Sequence, residues 1–183
     1  YLMGKELLAR RTPENVRAAI EQFERAIAIE PEYALSHAWA ARAWMLLEDQ
    51  TLENLDKATA DVEILPLLDA ANALAPDNAE VLAITGLHQR LRFRYEQALQ
   101  SLNRAIALNP NFAEAYVWRA ASHERKGDYQ AMLADRERAY RLDPVSIETA
   151  RSLVWAYGNY QRYDDAEAIV ERWVGDDVEM SNA

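Results

Sequence analysis

The side chains of this chain that could do chemistry are three histidines, a few paired carboxylates and one short arginine run. His37, His88 and His123 lie 51 and 35 residues apart, whereas a helical metal site sets its histidines at i and i+4, as in H-E-x-x-H, so that both reach one ion. No carboxylate pattern flanks them to complete such a site. They read as surface or packed imidazoles, and no metal site is expected. Asp164–Asp165 and Asp176–Asp177 are pairs of the kind an acid–base mechanism uses; at helix starts and tails they read as dipole partners and solvated charge. Arg90, Arg92 and Arg94, interleaved with Phe93, are the one local excess of positive charge. The run reads as support for a helix end and as a partner for nearby carboxylates rather than as a nucleic-acid stripe. Cysteine is absent, and thiolate nucleophiles, zinc–cysteine sites and iron–sulfur clusters go with it. No G-x-x-x-x-G-K-[ST], G-x-G-x-x-G or G-x-S-x-G occurs. The expectation is therefore no enzyme: no catalytic residue and no cofactor.

The bulk properties agree. Thirty acidic against 20 basic residues give a net charge of −10, which argues against direct binding of a phosphate backbone and against docking on an anionic membrane. No run of about 18 apolar residues exists, so no membrane insertion by this region is expected. Lysine occurs only at Lys5, Lys57 and Lys126, so that 17 of the 20 basic residues are arginine, a bias that suits bidentate recognition of carboxylates. Opening at Tyr1 rather than methionine points to a piece of a longer protein. With 5 glycines and 6 prolines in 183 residues, the composition favours helix.

The elements that would position these residues follow from an internal repeat. Pro76, Pro110 and Pro144 recur at intervals of 34 residues and close the phrases NALAPDNAE, IALNPNFAE and YRLDPVSIE. Pro31 closes a fourth, IAIEPEYAL, 45 residues before Pro76. Glu80, Glu114 and Glu148 keep the same 34-residue beat, as do Tyr95, Tyr129 and Tyr163, and Ala105 with Ala139. Each period reads as two helices. Ala98, Leu102, Ala105 and Leu108 mark the apolar face of one second helix. Gly127 and Asp128 are helix stop and start, and each closing proline ends a second helix at the residue before it.

This pattern resembles the tetratricopeptide repeat, whose period and motif it matches over roughly residues 1–174. The small residues of the motif fall at Gly4, Gly86, Ala19, Ala98, Ala166, Ala26, Ala71, Ala105 and Ala139, and the bulky second-helix position at Phe23, Leu68, Leu102 and Val170. The resemblance implies an all-α fold, a right-handed α-α superhelix of about five helix-turn-helix repeats at 1–32, 33–77, 78–111, 112–145 and 146–174, with a tail at 175–183. There are departures. The first inter-helix turn, ARRTPEN, is long, with Pro13 placed to open the next helix. About eleven extra residues enter repeat two, and Pro66 inside its second helix predicts a kink or a late start. Arg136 stands at the bulky position of repeat four, and Trp173 replaces a small alanine in repeat five.

In the family the first helix of each repeat lines a concave groove that takes a peptide or protein partner. By register the groove would hold Leu35, Trp39, Arg42 and Met45; Ile84, Leu87, Arg90 and Leu91; Val117, Trp118, Ala121 and Glu124; and Arg151, Ser152 and Trp155. The other reading of Trp39, Trp118 and Trp155 is that they pack between helices. The carboxylate clamp that some relatives use on chaperone tails is missing, since Ala38, Arg42, Ile84, Glu114 and Trp118 stand at its places. The opening YLMGKELLARRTPENVRAAIEQFERAIAIEPEYA, the insertion before PLLDAANALAPDNAE and the D-P-x-S of repeat four are similar to a bacterial subgroup. There such repeats form the C-terminal part of winged-helix transcription regulators, class III adenylate cyclases and some kinases. That resemblance implies a sensor or binding part of a signalling protein, cytoplasmic, or periplasmic where the parent is membrane-anchored. The alternative is self-assembly with a second copy through Ile169, Val170, Trp173 and Val174.

Overall fold

The computed structural model describes residues 1–49 and 52–181, with side chains as far as Arg172. All regular structure among them is helical: α1 (Leu2–Ala9), α2 (Pro13–Ile29), α3 (Ala34–Leu47), α4 (Lys57–Leu74), α5 (Ala79–Leu91), α6 (Tyr95–Leu108), α7 (Ala113–Arg125), α8 (Tyr129–Leu142), α9 (Ile147–Asn159) and α10 (Tyr163–Ser181). The chain divides into two compact units, Tyr1–Asn109 and Pro110–Ala183. In the N-terminal unit each helix packs on the next from α1 to α6, and α3 also touches α5. In the C-terminal unit α7 to α10 pack in the same sequential way, with α7 against α9. The fold class is the expected one, helix-turn-helix pairs without a strand among the described residues.

Small residues decide how closely the helices of a pair meet. A β-carbon on Gly4 would lie 2.7 Å from Phe23 Cε1, and one on Gly86 would lie 2.7 Å from Leu102 Cγ. Phe23 and Leu102 have no exposed surface, and neither have Ala19, Ala71, Ala98, Ala105 and Ala139. Repeat five breaks the pattern. Val154 stands where repeats three and four have Gly86 and Ala120, and Val170, expected in the core, is exposed. Ile169 takes the buried place instead, packed with Ala150, Leu153 and Tyr157. Val154, half-buried, packs against this cluster.

The turns repeat as faithfully as the helices. Phe93, Gly127 and Gln161 all have positive φ, at 62°, 78° and 57°. The next N–H reaches back to close the helix in each: Arg94 to Gln89 O, Asp128 to His123 O and Arg162 to Tyr157 O, at 2.8, 3.0 and 2.9 Å. This is the left-handed C-terminal cap that glycine adopts without cost and other residues adopt under strain. Thr12 caps α2, accepting from the Asn15 N–H, with Pro13 in the first helical turn as expected.

One arm of an expectation is corrected: helix α4 starts at Lys57 and continues through Pro66, with no late start. Pro66 and Val62 are both exposed, so the carbonyl that loses its N–H partner is on the solvent side. Helix α10 continues to Ser181, through most of the expected tail; Gly175 alone does not stop it, and no proline follows.

The close contacts predict opposite outcomes for two glycines. Gly86→Ala should lower unfolding stability by about 1–3 kcal/mol, because Leu102 must shift inside a filled core. Gly158→Ala, whose new methyl meets nothing within 4 Å, should be neutral or raise it by up to ~1 kcal/mol. Urea melts followed by circular dichroism separate the two, and equal effects would remove this account of the pairing.

Candidate functional site

In the N-terminal unit the first helices of three repeats converge on one carboxylate. Glu80 lies in the first turn of α5, where Asn78 caps the helix and accepts from the Glu80 and Val81 N–H groups. Its Oε2 accepts from Trp39 Nε1 of α3 at 2.6 Å, from Lys5 Nζ of α1 at 3.2 Å and from the Tyr1 hydroxyl at 3.4 Å. The Lys5 ammonium also lies 4.2 Å from the centre of the Trp39 ring. Tyr1 packs edge-on to Tyr33 and tilted on Phe23. Burial, reinforced by Glu80, pushes the Tyr1 phenol far above its ordinary value, so it stays a donor.

Of the residues expected to line a groove here, Met45, Ile84 and Leu87 are 3%, 0% and 2% exposed. They are packed beneath the surface. Trp39 and Arg42 are also buried, whereas Leu35, Arg90 and Leu91 are half-buried. Among these expected residues, surface access is therefore limited to Leu35, Arg90 and Leu91.

The C-terminal unit is arranged around Arg136. This residue is buried, with its guanidinium 4.5 Å from the centre of the Trp155 ring. It donates to Ser152 O at 2.8 Å and to Glu124 Oε2 at 2.7 Å. Burial is the largest influence on it and lowers its pKa against the pull of Glu124. Trp155 itself is 48% exposed on α9, with exposed Arg151 one turn before it and half-buried Ser152 between them. On α7, Val117, Ala121 and Glu124 are half-buried. Trp118 is buried, edge-on to Phe112 at 6.0 Å. The three tryptophans therefore divide: Trp39 and Trp118 pack inside, and Trp155 reaches solvent.

The arginine run behaves as read for Arg92, which closes the irregular connection between α3 and α4. It makes two bonds to Glu48, at 2.9 and 2.8 Å, and two to Asp61, at 2.8 and 2.6 Å. His88 Nε2 lies 2.8 Å from the same Asp61. Burial works to raise Asp61, but the donors Arg92 and His88 outweigh it and hold the carboxyl below its ordinary range. Among the described residues no group of three histidine or carboxylate side chains is placed to hold a metal, and no helix is long and apolar enough to cross a membrane.

Sequence reasoning missed Lys5, Tyr1 and Glu80 as members of one surface. The signal was present in part: Glu80 sits on the 34-residue beat, and Lys5 follows Gly4, the contact glycine of α1.

A protein built this way is a helical repeat protein, and the comparisons agree. Residues 94–127 match the family model described as the TPR repeat. The DnaJ homolog subfamily C member 7 homolog of Dictyostelium discoideum is 24% identical over 151 residues, covering 76% of this chain and 27% of that protein. The chain thus spans about a quarter of that relative's length. The crystal structure of TTC0263, a thermophilic TPR protein of Thermus thermophilus, superposes with a TM-score of 0.62 at 22% identity, covering 77% of this chain and 72% of that one. YrrB, a TPR protein with an unusual peptide-binding site, superposes with a TM-score of 0.51 at 15% identity, over 86% and 76% of the two chains. These likenesses show the fold, that of the α-α superhelix class, and support the TPR repeat family. TPR proteins are in general interaction modules without catalysis.

Acid should act through Asp61. Its folded pKa lies below the unfolded one, so its stabilisation is complete above the ordinary carboxylate value and is lost as pH falls through the depressed value. Below about pH 4 the stability of the native chain should fall more steeply than that of Asp61→Asn. Urea melts across the acid range check this, and parallel curves would remove the role given to Asp61.

Proposed function

We propose that this chain is a non-catalytic interaction module whose first-helix faces bind a peptide or protein partner. The observation that carries the reading is Trp155. A half-exposed indole, backed on one side by a buried guanidinium, is a rigid aromatic platform of the type that anchors interfaces. Arg151 adds a flexible charge one turn away, and Val117 and Ala121 of α7 add apolar surface within the same unit. The peptide-binding site named for YrrB is a property of that protein; the shared fold makes a peptide a reasonable first probe for this one. The larger setting is the regulatory part of a bacterial signalling or transcription-regulator protein. It is supported by the similarity of the first repeat to the regulator subgroup, and is tested by the gene sequence upstream of Tyr1, where a winged helix, a cyclase domain or a membrane-spanning segment would agree with it.

A second copy as partner has a narrower basis. Ile169 is buried in its own unit while Val170 is 47% exposed. Trp173 and Val174 lie outside the described side chains. Light scattering over a concentration series decides this reading, and a strict monomer ends it.

Peptides selected from a display library against the chain should lose at least about tenfold in affinity on Arg151→Glu or Trp155→Ala. Melting should move by less than about 4 °C for Arg151→Glu, whose side chain is exposed. Unchanged affinity for every selected peptide would remove α9 from the binding surface.

A further inference from the structure

The cluster around Glu80 is more than a strut between helices. We propose that the first-helix face of the N-terminal unit holds a preformed seat for a cationic side chain, filled at rest by Lys5, and that its incoming occupant is an arginine of a basic peptide segment. This inference rests on the reading of first-helix faces as the binding surface and names the chemistry of the partner for one of them.

The seat has two fixed walls. Trp39 is buried except for a small fraction of its surface, and its indole N–H is tied to Glu80 at 2.6 Å, so neither ring nor carboxylate is free to turn away. Glu80 is held from behind by the start of α5 and its Asn78 cap. What fills the seat is a lysine, bonded at 3.2 Å and lying over the indole at 4.2 Å. The pair is not sealed: the lysine and glutamate side chains are 34% and 27% exposed.

A partly solvated lysine pair of this kind is weak, and a long flexible stem leaves it at little cost. An arginine gains more in the same place. Its planar fork meets a carboxylate through two parallel bonds, and its flat face stacks on an indole better than an ammonium does. The chain itself shows the arrangement holding an arginine. In the C-terminal unit a guanidinium, that of Arg136, lies over the indole of Trp155 and donates to the carboxylate of Glu124. There the cation belongs to the buried frame; at Glu80 the resident is a displaceable lysine. The net charge of −10 draws a basic segment toward the chain in the first place.

The test uses the full 183-residue chain and a fluorescein-labelled hexa-arginine peptide, read by fluorescence anisotropy at low salt. Hexa-arginine should bind, and Lys5→Ala should tighten it about five- to tenfold by emptying the seat. Lys126→Ala, which removes the same charge elsewhere, should change affinity less than about twofold. Glu80→Gln should weaken binding about tenfold, and exposed Glu24→Gln less than about twofold. Lys5→Met, which keeps the stem, serves as a second variant if Lys5→Ala lowers the melting point. Equal effects of the two lysines, or of the two glutamates, mean diffuse attraction and overturn the seat; so does tighter binding of hexa-glutamate than of hexa-arginine. Library-selected peptides that depend on Arg151 but ignore Lys5 and Glu80 overturn the seat while the first-helix reading stands. Selected peptides that ignore every first-helix residue remove both.

Discussion

The distance of closest approach between paired helices is the constraint on which the rest of this structure depends. At Gly4 and Gly86 there is no space for even one methyl group, because Phe23 and Leu102 already occupy it. A knob of that size set into a glycine notch fixes both the rotation and the register of the two helices. Once register is fixed, the small residues that follow, Ala98 and Ala105 among them, are buried without further choice. In the N-terminal unit the first helices so placed, α1, α3 and α5, bring Tyr1, Lys5 and Trp39 together on Glu80. In repeat five no glycine stands at the matching position, which is Val154, and the buried residue of α10 is Ile169 where Val170 was expected.

This explains what could be read from the sequence and what could not. Helix number and the proline turns were legible from the repeat, and the contact residues Gly4, Gly86, Phe23 and Leu102 from the resemblance to the tetratricopeptide motif. Gly127 announced its left-handed turn, whereas Phe93 and Gln161 adopt the same conformation without a sequence signal. They are carried into it by the helices on either side. The course of α4 past Pro66 was illegible for a related reason, since only the fold reveals that the proline faces solvent. Among the site residues, periodicity placed Ile84, Leu87 and Met45 on the right helices but could not tell the exposed edge from the packed one. On a helix one position is a turn of about 100°, enough to move a side chain from solvent to core.

The arginine bias also has a structural cause that composition left open. Many of the guanidiniums serve the chain's own carboxylates through paired bonds. Arg17 takes both oxygens of Glu53, Arg92 both of Glu48 and Arg119 both of Asp135. Arg92 and Arg136 each join groups from different helices, which a lysine point charge does less well. Arg92 ties Glu48, at the end of α3, to Asp61 of α4. Arg136 fills an apolar position with its stem and reaches a carbonyl, a carboxylate and an indole face with its head.

Arginine used as frame and lysine used as resident are different devices, and the difference separates structure from function here. Removing a buried guanidinium strands its carboxylate and loosens the fold. Displacing Lys5 leaves Glu80 still bonded to Trp39 and capped at the start of α5, so the surface keeps its shape while its charge is exposed. A binding surface needs that property: its scaffold must survive the exchange of occupant. In the N-terminal unit the cluster of Glu80, Trp39 and Lys5 meets this requirement. The network of Arg92 with Glu48 and Asp61 is too thoroughly paired to do so.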